Sequence, residues 1–557
     1  MQYSHRQVCL GIPDRARKTL TGSRLPSFSS RILSAGYFPK ELPPPFSTRS
    51  LAEFADRHTG YMSDLWCPFG NKGFTTKLVR HNLARPGTNR RLLGIPNPIN
   101  QWRLALAIGS CRSDIETITE ASPLSSSKPT FQYTGRRAVA PLWYGMTLSE
   151  YRAEVRSKAR FISKVDIARF YPSVYTHSIP WALHTKATSK AAARDKTLPG
   201  NVIDKVLREG QDGQTIGIPI GPDTSFMISE LLLSQIDMQV ASGLKGRGYR
   251  WYDDYEVGFD SEDEAVEFNV RLERALGDYE LEVNAAKTEV LRLPQKLADP
   301  WLGPLQGFEI RPDGRNQASS LIDLFNRAFE FADQFPQGGV LKYAVRKLYK
   351  RVDRNGIEAS VIHRYQWKLA QELICQVAVV EPDTLPTVLG ILSFYSSQGM
   401  EPDLALVSET LNRVASIQAP RGFASDVAWA IWGYIENQLP VPDSAAQMAA
   451  NMGDDVVSLL LLHARALGYV SGGVSFAEIE GTVSVSDFNS EHWLLAYESH
   501  RQGWLTAPVT NAAAADVHSS KLCGDGVHFY RTNLRRYESA RHVFGTPFWM
   551  LGLLPYD

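Results

Sequence analysis

The sequence predicts an α+β domain followed by an all-α domain, and three observations carry that expectation. An apolar, strand-like run ends on Asp166. A carboxylate pair, Asp253-Asp254, sits in a hairpin-like run 87 residues further on. From about residue 315 the hydrophobic spacing becomes helical and stays so. A chain of 557 residues is long enough for two or more domains. The expected division is a basic arm over 1–50, an α+β domain over 51–315 and an α-helical repeat domain over 316–557.

Residues 51–160 read as short apolar runs separated by turns. Phe161 to Ile167 is strand-like, and Ser225 to Val240 has the spacing of a buried helix. Tyr249 to Phe259 reads as a hairpin with Asp253 and Asp254 at its turn. Glu262 to Leu276 is an amphipathic helix and Thr288 to Leu293 a strand. Beyond it, helical spacing recurs over 321–335, 339–352, 356–380, 402–416, 423–437 and 454–468. Gly, Pro or Asp breaks separate these segments. The pattern suggests stacked helical hairpins, an irregular solenoid of the HEAT kind.

Composition excludes several classes. No run of 18 apolar residues occurs, so no membrane partner is expected. The N-terminus lacks a compact apolar leader. The five cysteines, at 9, 67, 111, 375 and 523, are far apart in sequence. That spacing gives no CxxC zinc signature and fits a reducing cytoplasm. A net charge of +1 hides an asymmetry. Residues 1–160 hold 24 Lys and Arg against 10 Asp and Glu, and the remainder holds 36 against 49. A basic first third suits a polyanionic partner, nucleic acid or a nucleoside triphosphate.

The chemistry-bearing residues follow. A carboxylate at a strand end facing a carboxylate pair on a neighbouring turn can hold two divalent cations about 4 Å apart, as nucleotidyl transfer requires. Asp166, Asp253 and Asp254 are therefore the candidate catalytic and metal-binding residues, with Mg²⁺ or Mn²⁺ as cofactor. Taken alone, an Asp-Asp pair is more often a surface turn. The aromatic flanks and the upstream Asp are what change the balance. Between the two elements lies Gly217-Ile218-Pro219-Ile220-Gly221-Pro222, whose glycines would let backbone approach an incoming nucleotide. Lys287, after a predicted turn, is a candidate to neutralise leaving pyrophosphate, and otherwise an exposed lysine. Arg90 and Arg91 precede a short apolar strand and are candidate phosphate ligands, or else a solvated basic turn.

The order of these elements resembles the reverse transcriptases. The strings Phe170-Tyr171-Pro172-Ser173-Val174-Tyr175-Thr176-His177-Ser178-Ile179-Pro180-Trp181 and Ile218-Pro219-Ile220-Gly221-Pro222-Asp223-Thr224-Ser225, with Pro300-Trp301, resemble the abortive-infection (AbiK-like) and unknown-group enzymes of bacteria. The likeness is strong over about 85–310. It implies a fingers–palm domain, a helical-repeat domain in place of a thumb, and nucleotide contacts from Phe170, Tyr171, Gly221 and Trp251. The usual Tyr-x-Asp-Asp reads Trp251-Tyr252-Asp253-Asp254 here. The resemblance further implies an antiphage DNA polymerase that uses dNTPs without a template and primes on a tyrosine hydroxyl. Its DNA product would then be covalently attached, and the protein would be a trimer or hexamer. Tyr37, in a loop taken as mobile or extended, and Tyr3 are the priming candidates. Two other readings stay open at this point: a conventional enzyme copying an associated RNA, and a polymerase-fold scaffold that binds a phage protein. Arg536 and His542 match a short spacing found in RNA-cleaving toxins of the HEPN type, which chance supplies readily.

Overall fold

The computed structural model describes residues 26–64, 74–87, 89–142, 146–244, 246–352, 358–505, 516–534, 539 and 542–543. At its centre is an antiparallel sheet in the spatial order Arg247–Trp251, Asp254–Phe259, Phe161–Asp166, Glu289–Arg292. Strand alternation gives this sheet two different faces. Val165, Tyr255, Val257 and Phe259 belong to the main core, under the helices Asp223–Ala241 and Glu262–Gly277. Ile162 and Tyr249 lie on the other face, against Val155 of the helix Leu148–Arg156. Asp166 and Asp254 share the parity of Ile162 and so stand on that second face, away from the main core.

Local sequence explains the flanking helices. Ser261 caps Glu262–Gly277 by accepting the Glu264 amide, and three acids fill the first turn, where the helix dipole favours them. Thr147 and Glu150 form a reciprocal capping box at the start of Leu148–Arg156. Asp223–Ala241 is apolar on nearly all sides and deeply buried, which places Glu230 and Asp237 inside the core.

Beyond residue 315, among the described residues, the regular elements are helices, apart from a short hairpin pairing Lys350–Val352 with Glu358–Ser360. The helices fall into two rows. Gln317–Gln334, Trp367–Val380, Leu404–Gln418 and Asp443–Ala450 contact in succession. Val340–Arg346, Leu385–Ser397, Ala424–Glu436, Asp455–Ala466 and Trp493–Gln502 form the second row. The helices expected over 339–352 and 356–380 are cut back by the hairpin. Lys350-Arg351-Val352-Asp353-Arg354-Asn355-Gly356 has no apolar stripe to bury and carries an Asn-Gly turn signal. Leu385–Ser397 was not expected, because it is buried almost all round and so shows no amphipathic period. Residues 51–160 also hold more helix than short apolar runs suggest, namely Pro98–Ser110 and Arg112–Ala121.

The described part of the first fifty residues is not an arm. Phe28–Ala35 is a helix capped by Ser27, packed on Arg49–Arg57 and Pro98–Ser110. Its neighbours Tyr37, Leu42 and Phe46 are buried, because this stretch carries enough apolar surface to join the core. The Ser47 amide donates to the Phe529 carbonyl at 3.0 Å, and Trp429 Nε1 donates to the Glu41 carbonyl at 3.0 Å. The two halves of the chain thus share one hydrophobic core running from Ile32 to Tyr530. Residue 315 marks a change in element type within that core. Among the described residues, no helix is long and apolar enough to cross a membrane.

A fragment ending at residue 315 would expose Ile95, which is fully buried, where Trp493 Nε1 now donates to its carbonyl at 3.4 Å. We expect that fragment to lack the cooperative thermal transition of the full chain by near-UV circular dichroism. A sharp transition with native-like aromatic signal would contradict the shared core.

Candidate active site

Register brings the first two carboxylates together: Asp166 and Asp254 are direct partners on adjacent antiparallel strands. Partners of this kind have Cβ atoms about 5 Å apart. Asp253 belongs to the two-residue turn between Trp251 and Asp254, which also pair. Its other turn residue, Tyr252, has φ of +52°. A non-glycine residue in the left-handed region costs about 1–2 kcal/mol, so something must hold it there.

The holding is done by a buried polar network. The Tyr252 amide donates to Ser127 Oγ at 2.9 Å, and its carbonyl accepts from Arg250 Nη1 at 2.7 Å. Arg250 is fully buried. It donates to Glu230 Oε1 at 2.9 Å and to Asp237 Oδ2 at 2.8 Å. Tyr255 Oη donates to Asp237 Oδ1 at 2.8 Å, and Ser127 Oγ to Glu230 Oε1 at 2.8 Å. Breaking a buried ion pair of this kind costs about 3–5 kcal/mol. None of these residues was singled out from the sequence. The available signal was Glu230 and Asp237, seven residues apart on one side of an otherwise apolar helix.

Asp166 is bound on both oxygens. Asn284 Nδ2 donates to Oδ1 at 2.8 Å and Lys287 Nζ to Oδ2 at 3.0 Å. Asn284 also donates its amide to the Asp166 carbonyl at 2.7 Å, and its role was likewise missed. The hydrogen bond to Asp166 raises the Lys287 ammonium pKa, with Asp254 and Asp253 adding to it. Asp253 is pushed up by burial, with the Asp166 charge adding and Arg91 and Lys287 opposing. Asp254 keeps surface open to solvent, yet protein crowds its carboxyl. Loss of hydration, then Asp253 and Asp166, raise it to about 7 against the pull of Lys287.

The other candidates divide. Arg91 lies within the field of Asp253. Tyr171 follows Asp166 on the short helix Phe170–Ser173 and places Oη 3.3 Å from Ser229 Oγ, also in the field of Asp253. Trp251 pairs with Asp254 and is half-buried. Arg90 is not at the site. Its Nη2 lies 2.9 Å from Asp426 Oδ2, in the helical half, because buried Asp426 needs a counter-charge. Phe170 is 3% exposed and packs in the core, so its ring lines no nucleotide pocket here. Gly221, at φ +130°, is needed for a different approach. A Cβ there would come within 2.6 Å of Pro39 Cγ, so the glycine admits the N-terminal segment rather than a nucleotide. Tyr37 corrects the expectation of a mobile or extended loop. It is fully buried, its hydroxyl donates to the Pro96 carbonyl, and burial drives its pKa well up. No incoming phosphorus reaches that oxygen. Tyr3 and Arg536 lie outside the described residues, and His542 is taken up by Arg136 Nη2 at 3.1 Å.

Among the described residues, no three His, Cys, Asp or Glu side chains converge to metal-ligand spacing. Asp166 is instead turned to Asn284 and Lys287. The donor chemistry of the three carboxylates nonetheless suits a hard divalent cation.

No family model matches the chain, and no curated protein does. Among solved structures 140 chains match. One is a telomerase from Candida albicans, solved with a fragment of telomeric RNA, at 13% identity and a TM-score of 0.27. The match covers 64% of this chain and 66% of the telomerase, so this chain spans just under two thirds of that relative. A likeness at that level carries no argument here.

The raised Asp254 sets a sign for stability against pH. The folded state keeps a proton that the unfolded carboxyl has released, so the contribution of Asp254 to stability falls as pH rises from about 4 to about 7. We expect Asp254→Asn to flatten that slope. At pH 8, millimolar Mn²⁺ should raise the melting temperature of the wild type and leave Asp254→Asn unmoved. Equal responses from the two proteins would contradict the assignment.

Proposed function

We propose that the protein is a DNA polymerase that joins deoxynucleotides by nucleotidyl transfer at Asp166, Asp253 and Asp254. The observation that carries the reading is the pairing of Asp166 with Asp254 beside the Asp253 turn. That turn is fixed by its own buried network, while the carboxylates it presents repel one another. A protein maintains such an arrangement against its own stability where function uses it.

The three aspartates would hold Mg²⁺ or Mn²⁺, and gathering them around a cation means that Asp166 gives up the Lys287 ammonium. Bound divalent cations would supply Lewis acidity for an attacking hydroxyl and neutralise triphosphate charge. The remaining work falls to residues of the chain. Arg91, within the field of Asp253, supplies a guanidinium fork for phosphate oxygens. Lys287, once released, is a mobile ammonium that can neutralise or protonate leaving pyrophosphate. Asn284 keeps Asp166 oriented through both of its bonds. Tyr171 sets its ring beside the sugar of the incoming nucleotide.

The resemblance of the motif strings to abortive-infection reverse transcriptases supplies the rest of the proposal. On that basis the protein serves antiphage defence in the cytoplasm as a homo-oligomer, makes DNA without a template, and starts each strand on a tyrosine. Tyr3 is the candidate hydroxyl of the N-terminal region. Purified full-length protein incubated with labelled dNTPs and Mn²⁺, without nucleic acid, tests this directly. Label that stays with the protein after denaturation supports template-free, protein-primed synthesis. A product sequence that appears only with added RNA would indicate a templated enzyme. No incorporation under either condition would sink the polymerase reading.

Asp253→Asn and Asp254→Asn should each lower incorporation about a thousandfold or more, the loss of several kcal/mol of transition-state stabilisation, with secondary structure unchanged. Wild-type rates from both variants would refute the metal assignment. Tyr171→Val should admit ribonucleotides by removing the ring that meets a 2′-hydroxyl. Equal use of both sugars by the wild type would refute that role.

A further inference from the structure

Arg90 and Arg91 are neighbours on one strand with different partners, and the difference originates in the helical half. Their strand, Arg90–Ile95, pairs with Val79–Ala84 in a two-stranded hairpin. Such a hairpin is marginal alone and needs support from outside. Much of that support comes from the loop and helix start at residues 422–426. The Ala84 amide donates to Ser425 Oγ at 2.8 Å, and Asn82 Nδ2 to the Gly422 carbonyl at 3.3 Å. His81 Nδ1 lies 2.9 Å from Asp454 Oδ2. At the start of the second strand, Arg90 Nη2 meets Asp426 Oδ2 at 2.9 Å, and the guanidinium carbon sits 3.5 Å from the centre of the Phe423 ring. The Asp426 side chain is 1% exposed. Among the described residues, Arg90 Nε and Nη1 have no hydrogen-bond partner and Asp426 Oδ2 accepts no hydrogen bond, so the ion pair with Asp426 and the Phe423 ring provide the fixation of this side chain.

Successive side chains of a strand point to opposite faces. Arg91 therefore leaves the strand on the face opposite Arg90, the face it shares with His81 and Leu93, and Asp253 feels its charge. The hairpin's far end is tied as well, with the Gly94 amide donating to the Ile220 carbonyl at 3.0 Å. A Cβ on Gly94 would come within 3.0 Å of Pro219, so this contact is close and leaves little play. We propose that Asp426 is a positioning residue for nucleotide binding: by anchoring Arg90 it sets the hairpin so that Arg91 meets the triphosphate. The inference rests on the polymerase reading of the carboxylate site.

The test uses full-length Asp426→Asn and Asp426→Ala, measured beside Arg91→Ala and the Asp426→Ala/Arg91→Ala double variant. Asp426→Asn keeps the shape of the side chain and serves if Asp426→Ala fails to fold. Both Asp426 variants should raise KM for dNTP about tenfold, as expected for loss of a charge-assisted contact, with kcat within about twofold. The double variant should be no worse than Arg91→Ala, because Asp426 acts through Arg91. A fall in kcat at unchanged KM, or a full additional loss in the Arg91→Ala background, overturns the proposal. Hydrogen–deuterium exchange gives a readout that needs no activity. Peptides covering 79–95 should exchange faster in both Asp426 variants while those covering 443–502 are unchanged, and an unchanged 79–95 overturns the proposal. A wild-type protein that incorporates no nucleotide would instead overturn the polymerase reading, with exchange still deciding whether Asp426 fixes the hairpin.

Discussion

Three carboxylates of like charge share one strand end and one turn, and their repulsion is the constraint to which the rest of the α+β half is fitted. Burial raises both acids first, and neighbouring charge adds to it, Asp166 at Asp253 and Asp253 with Asp166 at Asp254. The fold opposes the repulsion from beneath. Arg250 stands under the turn between Glu230 and Asp237, and its third bond goes to the Tyr252 carbonyl. The turn cannot relax out of its left-handed residue without breaking these bonds. A buried arginine with two carboxylate partners carries its own desolvation cost. The network is therefore better read as specifying geometry than as adding stability.

A second level of control comes from the other half of the chain. The hairpin that carries Arg90 and Arg91 is clamped by residues 422–426 and 454 on one side and by the Ile220 loop on the other. The N-terminal segment closes the arrangement, because Pro39 fills the space that Gly221 leaves open. Loop, hairpin and N-terminal segment are thus interlocked, and the helical half takes part in holding the hairpin as well as in forming the shared core.

Much of the α+β half was legible in the sequence, for physical reasons that can be named. Period-2 apolar runs gave the strand at Phe161 and the hairpin at Tyr249, and the bounds of Glu262–Gly277 followed from its capping serine and its stripe. The placement of Asp253 and Asp254 at one hairpin could be anticipated because a turn is a local property, and their pairing with Asp166, on a distant strand, followed from the order of the motifs. What escaped was set by distant partners. Arg90 reads as a solvent-facing phosphate ligand until Asp426, more than three hundred residues away, claims it. Tyr37 follows a glycine and precedes Phe38-Pro39, which suggests a loop, but its apolar neighbours draw it inside. Gly221 looked like a ligand-facing glycine and proved to face Pro39. In each case the residue type was read correctly and its partner could not be, because a single sequence shows no tertiary contacts.

The proposed polymerase requires that the three aspartates bind divalent cations together with a nucleotide. Crystals of the full chain soaked with Mn²⁺ and a non-hydrolysable dNTP, measured at the manganese absorption edge, test it most directly. We expect anomalous peaks bounded by Asp166, Asp253 and Asp254, with Lys287 displaced from Asp166 and the triphosphate reaching Arg91. Nucleotide bound away from these residues, or manganese absent from them while nucleotide is present, would contradict it.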